Sequence, residues 1–184
     1  MSVRRIRPDN NVKTPRLVVL ILLLAVIAAG TWFFLSRSGS SDNATLTVYY
    51  TKIDGTTLGT LSVSLRPAQT GESAAEHLHN VALYAAVEAV AGPSSDVQAI
   101  RFPPGTRVGG VTVAGTTATV DLAGNVTAQA GGSFGENGEF KGLVYTLTGL
   151  HGIDAVAITI DGKTVPSLPG GHLELDQPLH RSDW

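Results

Sequence analysis

An uncharged run of nineteen residues, Leu17–Leu35 (LVVLILLLAVIAAGTWFFL), decides most of what this chain can do. As a helix it would reach roughly 28 Å at ~1.5 Å per residue, close to the ~30 Å hydrocarbon core of a bilayer. Before it, residues 1–16 carry Arg4, Arg5, Arg7, Lys13 and Arg16 against the single acid Asp9. After it, residues 36–184 carry eight bases and fourteen acids. A basic flank stays on the cytoplasmic side of a membrane, so the acidic remainder is expected outside. Trp32, Phe33 and Phe34 stand where an interfacial aromatic belt would stand. The reading is a cytoplasmic basic segment (1–16), a transmembrane helix (17–35) that contacts membrane lipid, and an exported C-terminal part. The rival reading is a cleaved signal peptide with its core at Leu17–Ile27 and a small-residue site at Ala28-Ala29-Gly30. Against it, the apolar run continues past that site, and the bulky Trp32-Phe33-Phe34 would open the mature chain. The basic run reads as a topology signal and not as a nucleic-acid patch.

Residues 36–43, SRSGSSDN, are small and polar and form a linker. About 140 residues remain for one globular domain, 44–184. With 43% hydrophobic and 15% charged residues, the chain is too apolar and too weakly charged for a disordered protein. Cysteine is absent, which removes disulfides, thiol catalysis, Cys-based zinc sites and a lipidated N-terminal cysteine.

Along the domain, hairpins alternate with helices. In Thr45–Ile53, Leu46, Val48 and Tyr50 point one way, and Thr45, Thr47, Tyr49 and Thr51 the other. Asp54-Gly55 turns the chain into the alternating Leu61, Val63 and Leu65. Ser73 and Glu76 have capping-box spacing and open a helix with the stripe Leu78, Val81, Ala82, Ala85 and Ala89. Gly92-Pro93 stops it. A second hairpin pairs Val111–Val113 with Ala118–Leu122, and Gly109-Gly110 allows a bulge. Gly124–Gly138 reads as a mobile loop. Phe140, Leu143, Val144 and Leu147 then mark a second helix, with Asn137 as its cap. Ala155–Asp161 is a strand, followed by a turn into Lys163–Val165 and an irregular tail. The order β-β-α-β-β-α-β predicts an α+β two-layer sandwich, with both helices on one face of a sheet.

Chemistry is harder to find. Gly131-Gly132-Ser133-Phe134-Gly135 matches the G-x-S-x-G nucleophile pattern, but that elbow needs a buried strand before it and a helix after it. Only Thr127–Ala130 precedes it, so Ser133 reads as a loop residue or helix cap. Of the five histidines, His77 and His79 fall about 200° apart on a helix and cannot share a metal, while His151, His172 and His180 are scattered. They read as solvated imidazoles. Glu72, Glu76 and Glu88 read as cap, dipole partner and solvated face. The Asn43 and Asn125 glycosylation patterns read as coincidental. No catalytic, cofactor-binding or metal-binding residue is assigned, and no cofactor.

Several words in order carry a resemblance. They are Thr47-Val-Tyr-Tyr-Thr51, Ala91-Gly92-Pro93, Ile100 through Pro103-Pro104-Gly105-Thr106, and Val111-Thr-Val113 with Ala118-Thr-Val-Asp-Leu122. Leu143-Val-Tyr-Thr-Leu-Thr148, Val156-Ala-Ile-Thr-Ile-Asp-Gly162 and the closing Pro178-Leu179-His-Arg181-Ser-Asp-Trp184 complete the set. Together they resemble the GerMN domain family of bacterial sporulation and spore-germination proteins, over about residues 44–184. The resemblance implies an extracytoplasmic domain akin to ring-building domains, held at the bacterial cell membrane and working by protein contact, not as an enzyme. Its partners would be envelope proteins, with self-association as a further option and no nucleic acid. The alternatives are a ligand-binding module for peptidoglycan fragments, using the Gly124–Gly138 loop, and a cell-wall hydrolase. Two departures matter: many members are lipoproteins, which a chain without cysteine cannot be, and the founding spore protein has two copies in tandem.

Overall fold

The computed structural model describes residues 44–128, 132–169 and 173–184. The basic segment, the Leu17–Leu35 run expected to span the membrane, and the linker lie outside these residues. Among the described residues no helix is long and apolar enough to cross a membrane.

Strands β1 (Thr45–Thr51) and β2 (Leu58–Ser64) form an antiparallel pair, with Leu46 opposite Val63 and Val48 opposite Leu61. Their turn is fixed by Asp54, whose Oδ1 accepts the amides of Thr56 and Thr57 at 2.9 and 2.8 Å. Helix α1 (Ala74–Ala91) opens with the expected capping box: the Glu76 amide donates to Ser73 Oγ, and the Ser73 amide to Glu76 Oε2. Its small-residue face buries Ala82, Ala85 and Ala86 completely, which lets the helix sit close to its neighbours. The helix stops at Gly92, whose φ of 68° a residue with a side chain rarely adopts.

After the stop, Arg101 gathers the turn. Its guanidinium donates to the carbonyls of Pro93, Ser94 and Val97. Two of the family-like words are thus one device, the helix stop and the arginine that ties down the turn beyond it. Arg101→Ala should lower stability by about 1–2 kcal/mol, because three backbone carbonyls lose a charged donor together. Arg101→Lys should recover only part, since an ammonium lacks the fork. Thermal unfolding of the two variants beside the wild type checks this.

Strands β3 (Thr106–Ala114) and β4 (Thr117–Gly124) form the second hairpin, and the register slips between Val108 and Gly110, the bulge expected there. Strand β5 (Ala155–Ile160) lies parallel to β4, giving the order β3-β4-β5. The irregular tail is not idle. Leu179 exchanges backbone hydrogen bonds with Val156 at 2.8 and 2.9 Å, and Leu168, Leu175 and Leu179 are buried.

Three expectations about the fold are corrected. The α+β class stands, but the single sheet gives way to two, β1-β2 and β3-β4-β5. The reason lies at the outer edge of β1. There the Tyr49 amide donates to Thr146 Oγ1 at 2.8 Å, and the Thr51 carbonyl accepts from the Ile100 amide at 2.8 Å. A helix side chain and a loop amide satisfy the backbone groups that another strand would have used. The second correction is that residues 132–138 are helix, not mobile loop. Helix α2 runs Gly132–Leu147, so Asn137 lies inside it, and a short 3-10 turn, Asn125–Thr127, precedes it. Phe140, Leu143, Val144 and Leu147 are fully buried, as their spacing predicts. Thr51, assigned to the polar strand face, is also fully buried, because its hydroxyl donates to the Gly138 carbonyl at 2.8 Å.

Candidate functional site

Beyond Ser64 the chain leaves β2 through Leu65 and Arg66 and passes the first turns of α1. Between the two lies a groove of about 370 Å³, lined by Ser64, Leu65, Arg66, His77, Asn80, Val81 and Tyr84. Glu72 organises it. The Glu72 side chain is only 8% exposed, and its carboxylate accepts from the Gln69 amide at 2.7 Å and from Asn80 Nδ2 at 2.7 Å. His77 Nδ1 lies 3.3 Å away and Arg66 Nη2 3.9 Å. The Gln69 amide, then Asn80 and His77, hold the Glu72 carboxyl below its ordinary range. Glu76 is likewise held low by Ser73.

The groove therefore offers hydrogen-bonding groups and an aromatic wall around a carboxylate that is already engaged. It offers no nucleophile paired with a base. Among the described residues no three His, Asp or Glu side chains come together to hold a metal.

The residues singled out in the sequence fall apart in space. Ser133 sits on the exposed first turn of α2, and the nearest described element before it is the 3-10 turn Asn125–Thr127, not a strand. It is a residue of the helix itself, and neither the loop residue nor the cap expected. His77 is half-buried on Glu72 and not simply solvated, while His79, His151 and His180 are exposed. His172 and Asn43 lie outside the described residues. Asn125 donates its amide to the Pro104 carbonyl at 2.8 Å, a structural bond between two loops. The closing word also has a structural task. Arg181 donates to the Tyr145 carbonyl at 2.8 Å and to Thr148 Oγ1 at 2.7 Å, capping the end of α2. Its guanidinium lies 4.9 Å from the Tyr145 ring centre and 5.7 Å from that of Tyr49.

Sequence reasoning missed two residues, Glu136 and Glu139. Each is 7% exposed on the N-terminal half of α2. Starting the helix at Asn137 broke the Glu136-Glu139-Phe140-Leu143-Leu147 face, which would have shown two acids aligned with the apolar stripe.

Fold and site together define a class: a two-sheet α+β domain whose distinctive words build caps, turns and edge closures. The profile of the Germane family, described as sporulation and spore germination, matches residues 47–166, and the chain belongs to that family. Solved structures agree in fold. The tandem GerMN domains of the sporulation protein GerM from Bacillus subtilis are similar with a TM-score of 0.58 at 19% identity, over 77% of this chain and 47% of that one. The chain thus spans about half of that tandem protein. The first GerMN domain of the same protein gives a TM-score of 0.53 at 20% identity, over 76% of this chain and 99% of that one. A chain from Clostridium perfringens classed as a lipoprotein gives 0.52 at 18% identity, over 76% of this chain and 87% of that one. Among curated proteins, none matches the sequence.

Proposed function

We propose that this protein is a membrane-anchored, extracytoplasmic GerMN-type domain that binds or scaffolds envelope proteins and carries out no reaction of its own. One observation carries the reading: Arg101, Thr146 and Arg181, three polar side chains in the family-like words, are engaged with the protein's own backbone. Such residues specify a shape. The uncharged Leu17–Leu35 run and its basic flank support an anchor with the domain outside. The likeness to a chain classed as a lipoprotein fits attachment to a membrane, here by a helix in place of a lipid.

The surface best suited to contact is the outer side of α1, where Tyr84 and Val87 are 36% and 43% exposed, one turn apart. In-membrane crosslinking followed by mass spectrometry tests the proposal. Val87→Glu should lose most crosslinked partner, and Ser133→Ala should lose none. Hydrolysis of peptidoglycan by the wild-type chain, abolished in Ser133→Ala, would overturn the binding reading. A second reading rests on the groove beside α1. Its Arg66, Asn80 and Tyr84 suit a small polar cell-wall fragment, which calorimetric titration with soluble muropeptides and with Arg66→Ala would detect.

A further inference from the structure

Helix α2 carries two acidic residues that are almost wholly buried. Glu136 and Glu139 are three residues apart, on adjacent sides of one turn, and each is 7% exposed. The same stretch of helix is seated on the end of β1 and the turn that follows it by three contacts. Phe134 covers Gly55, Thr51 Oγ1 donates to the Gly138 carbonyl at 2.8 Å, and Lys141 Nζ donates to the Thr56 carbonyl at 3.0 Å. We propose that the Glu136–Glu139 pair makes the N-terminal half of α2 a pH-operated latch, seated while Glu139 holds a proton and loosened when it gives it up.

Among the described residues, no ion pair compensates a negative charge on Glu139. Helix α2 packs on β1, α1, β5 and the closing 3-10 turn Arg181–Asp183. Strand β5 has no titratable side chain. From β1 come Tyr49, beside Tyr145 farther along α2, and Tyr50, which covers Gly59. From α1, Glu76 is held by Ser73 and His77 by Glu72; His79 is exposed, and Glu88 acts on Tyr84. Arg181 is engaged at the far end of α2, and Asp183 accepts from the His180 amide. Near the N-terminal half, Lys141 reaches Thr56, and Arg101 is held by the Pro93, Ser94 and Val97 carbonyls. Lys52 and Asp54 belong to the β1-β2 turn, and Asp54 is engaged with Thr56 and Thr57. Among the described residues, no cation lies within 4.0 Å of the Glu139 carboxylate. The charge that bears on Glu139 is that of Glu136.

Burial, and then the Glu136 charge, push the Glu139 carboxyl up to about 7, from a usual value of 4.5. The folded state therefore binds more protons than the unfolded state between these two values. The seated form is favoured most below about 4.5, loses ground as pH rises towards 7, and bears the full penalty above it. Only the N-terminal half of α2 need respond, because it holds three glycines (Gly132, Gly135 and Gly138) against one, Gly142, in the other half, which makes it the weaker half of the helix.

Hydrogen–deuterium exchange on the full chain in mild detergent at pH 5.5 and pH 8.5, corrected for intrinsic rates, tests the latch. Amides of residues 135–142 should lose at least about tenfold protection at the higher pH, while those of α1 around residues 82–86 stay protected. Glu139→Gln should abolish the pH difference. An unchanged difference in that variant, or none in the wild type, would overturn the proposal. Carboxyl-carbon NMR of the wild type, with glutamate labelled, gives a readout that needs no variant to fold. A Glu139 midpoint well above 4.5 is expected, and one at the usual value would overturn the proposal.

Discussion

Replacing Phe140 by alanine should lower the unfolding free energy by roughly 3–5 kcal/mol, the range for deleting a buried aromatic ring. Phe140 is fully buried near the middle of α2, and its ring meets that of Phe102 edge-on, with centroids 5.5 Å apart. Phe102 belongs to the proline-stiffened segment Ile100–Thr106, between Arg101 and Pro103. The neighbouring backbone is thus fixed by Arg101 on one side and a proline on the other, so the walls cannot readily collapse into the space left behind. The loss should therefore fall in the upper part of the range, because an unrelaxed cavity adds to the transfer term. Phe140→Leu keeps much of the volume and should lose less than half as much. Chemical denaturation followed by circular dichroism measures both. A loss below about 1 kcal/mol for Phe140→Ala would show that α2 is not a core helix.

The parts of the fold that were legible in the sequence are those in which local pattern and tertiary packing agree. Ser73 with Glu76 forms its capping box, Gly92 stops α1, and the Gly109-Gly110 pair marks the bulge. In each case a short-range physical rule fixes the backbone whatever surrounds it. Helix α2 shows the opposite. Its first half holds Gly132, Gly135 and Gly138, each about 1 kcal/mol worse than alanine in a helix, so local propensity favours a loop. Packing reverses that preference, because Gly138 and Gly142 allow close approach to Ile100 and to β1. The division into two sheets was hidden for a related reason. No strand propensity announces that Thr146 will accept the Tyr49 amide from 97 residues away. The groove was invisible because it forms from the exit of β2 and the side of α1, each ordinary alone. Glu72 was read as part of a helix start, while its organising role rests on Asn80 and Arg66, one from α1 and one from the β2 exit.

Substitution of Gly142 should separate helix propensity from close packing, and the two make opposite predictions. In an exposed helix interior, glycine to alanine stabilises by about 1 kcal/mol. At Gly142 a Cβ would stand 3.0 Å from the Tyr49 carbonyl oxygen and 3.3 Å from Tyr50 Cα. Both are backbone atoms of β1, so neither can swing aside as a side chain would. One turn earlier, Gly138 faces the Ile100 side chain, which has rotamers to offer. Gly142→Ala should therefore destabilise by about 1–2 kcal/mol despite the better propensity, as overpacking does in a tight core. Gly142→Leu should lose roughly 3 kcal/mol or more, because α2 must move off β1. That movement also breaks the bond from the Tyr49 amide to Thr146 Oγ1, leaving a half-buried donor unpaired. Asn137→Ala, at an exposed position of the same helix, supplies the control and should change stability by no more than about 0.5 kcal/mol. Equilibrium unfolding of the three variants decides the matter. A Gly142→Ala protein more stable than the wild type would mean that α2 and β1 are farther apart than 3.0 Å implies, and that the edge of β1 is closed by something else.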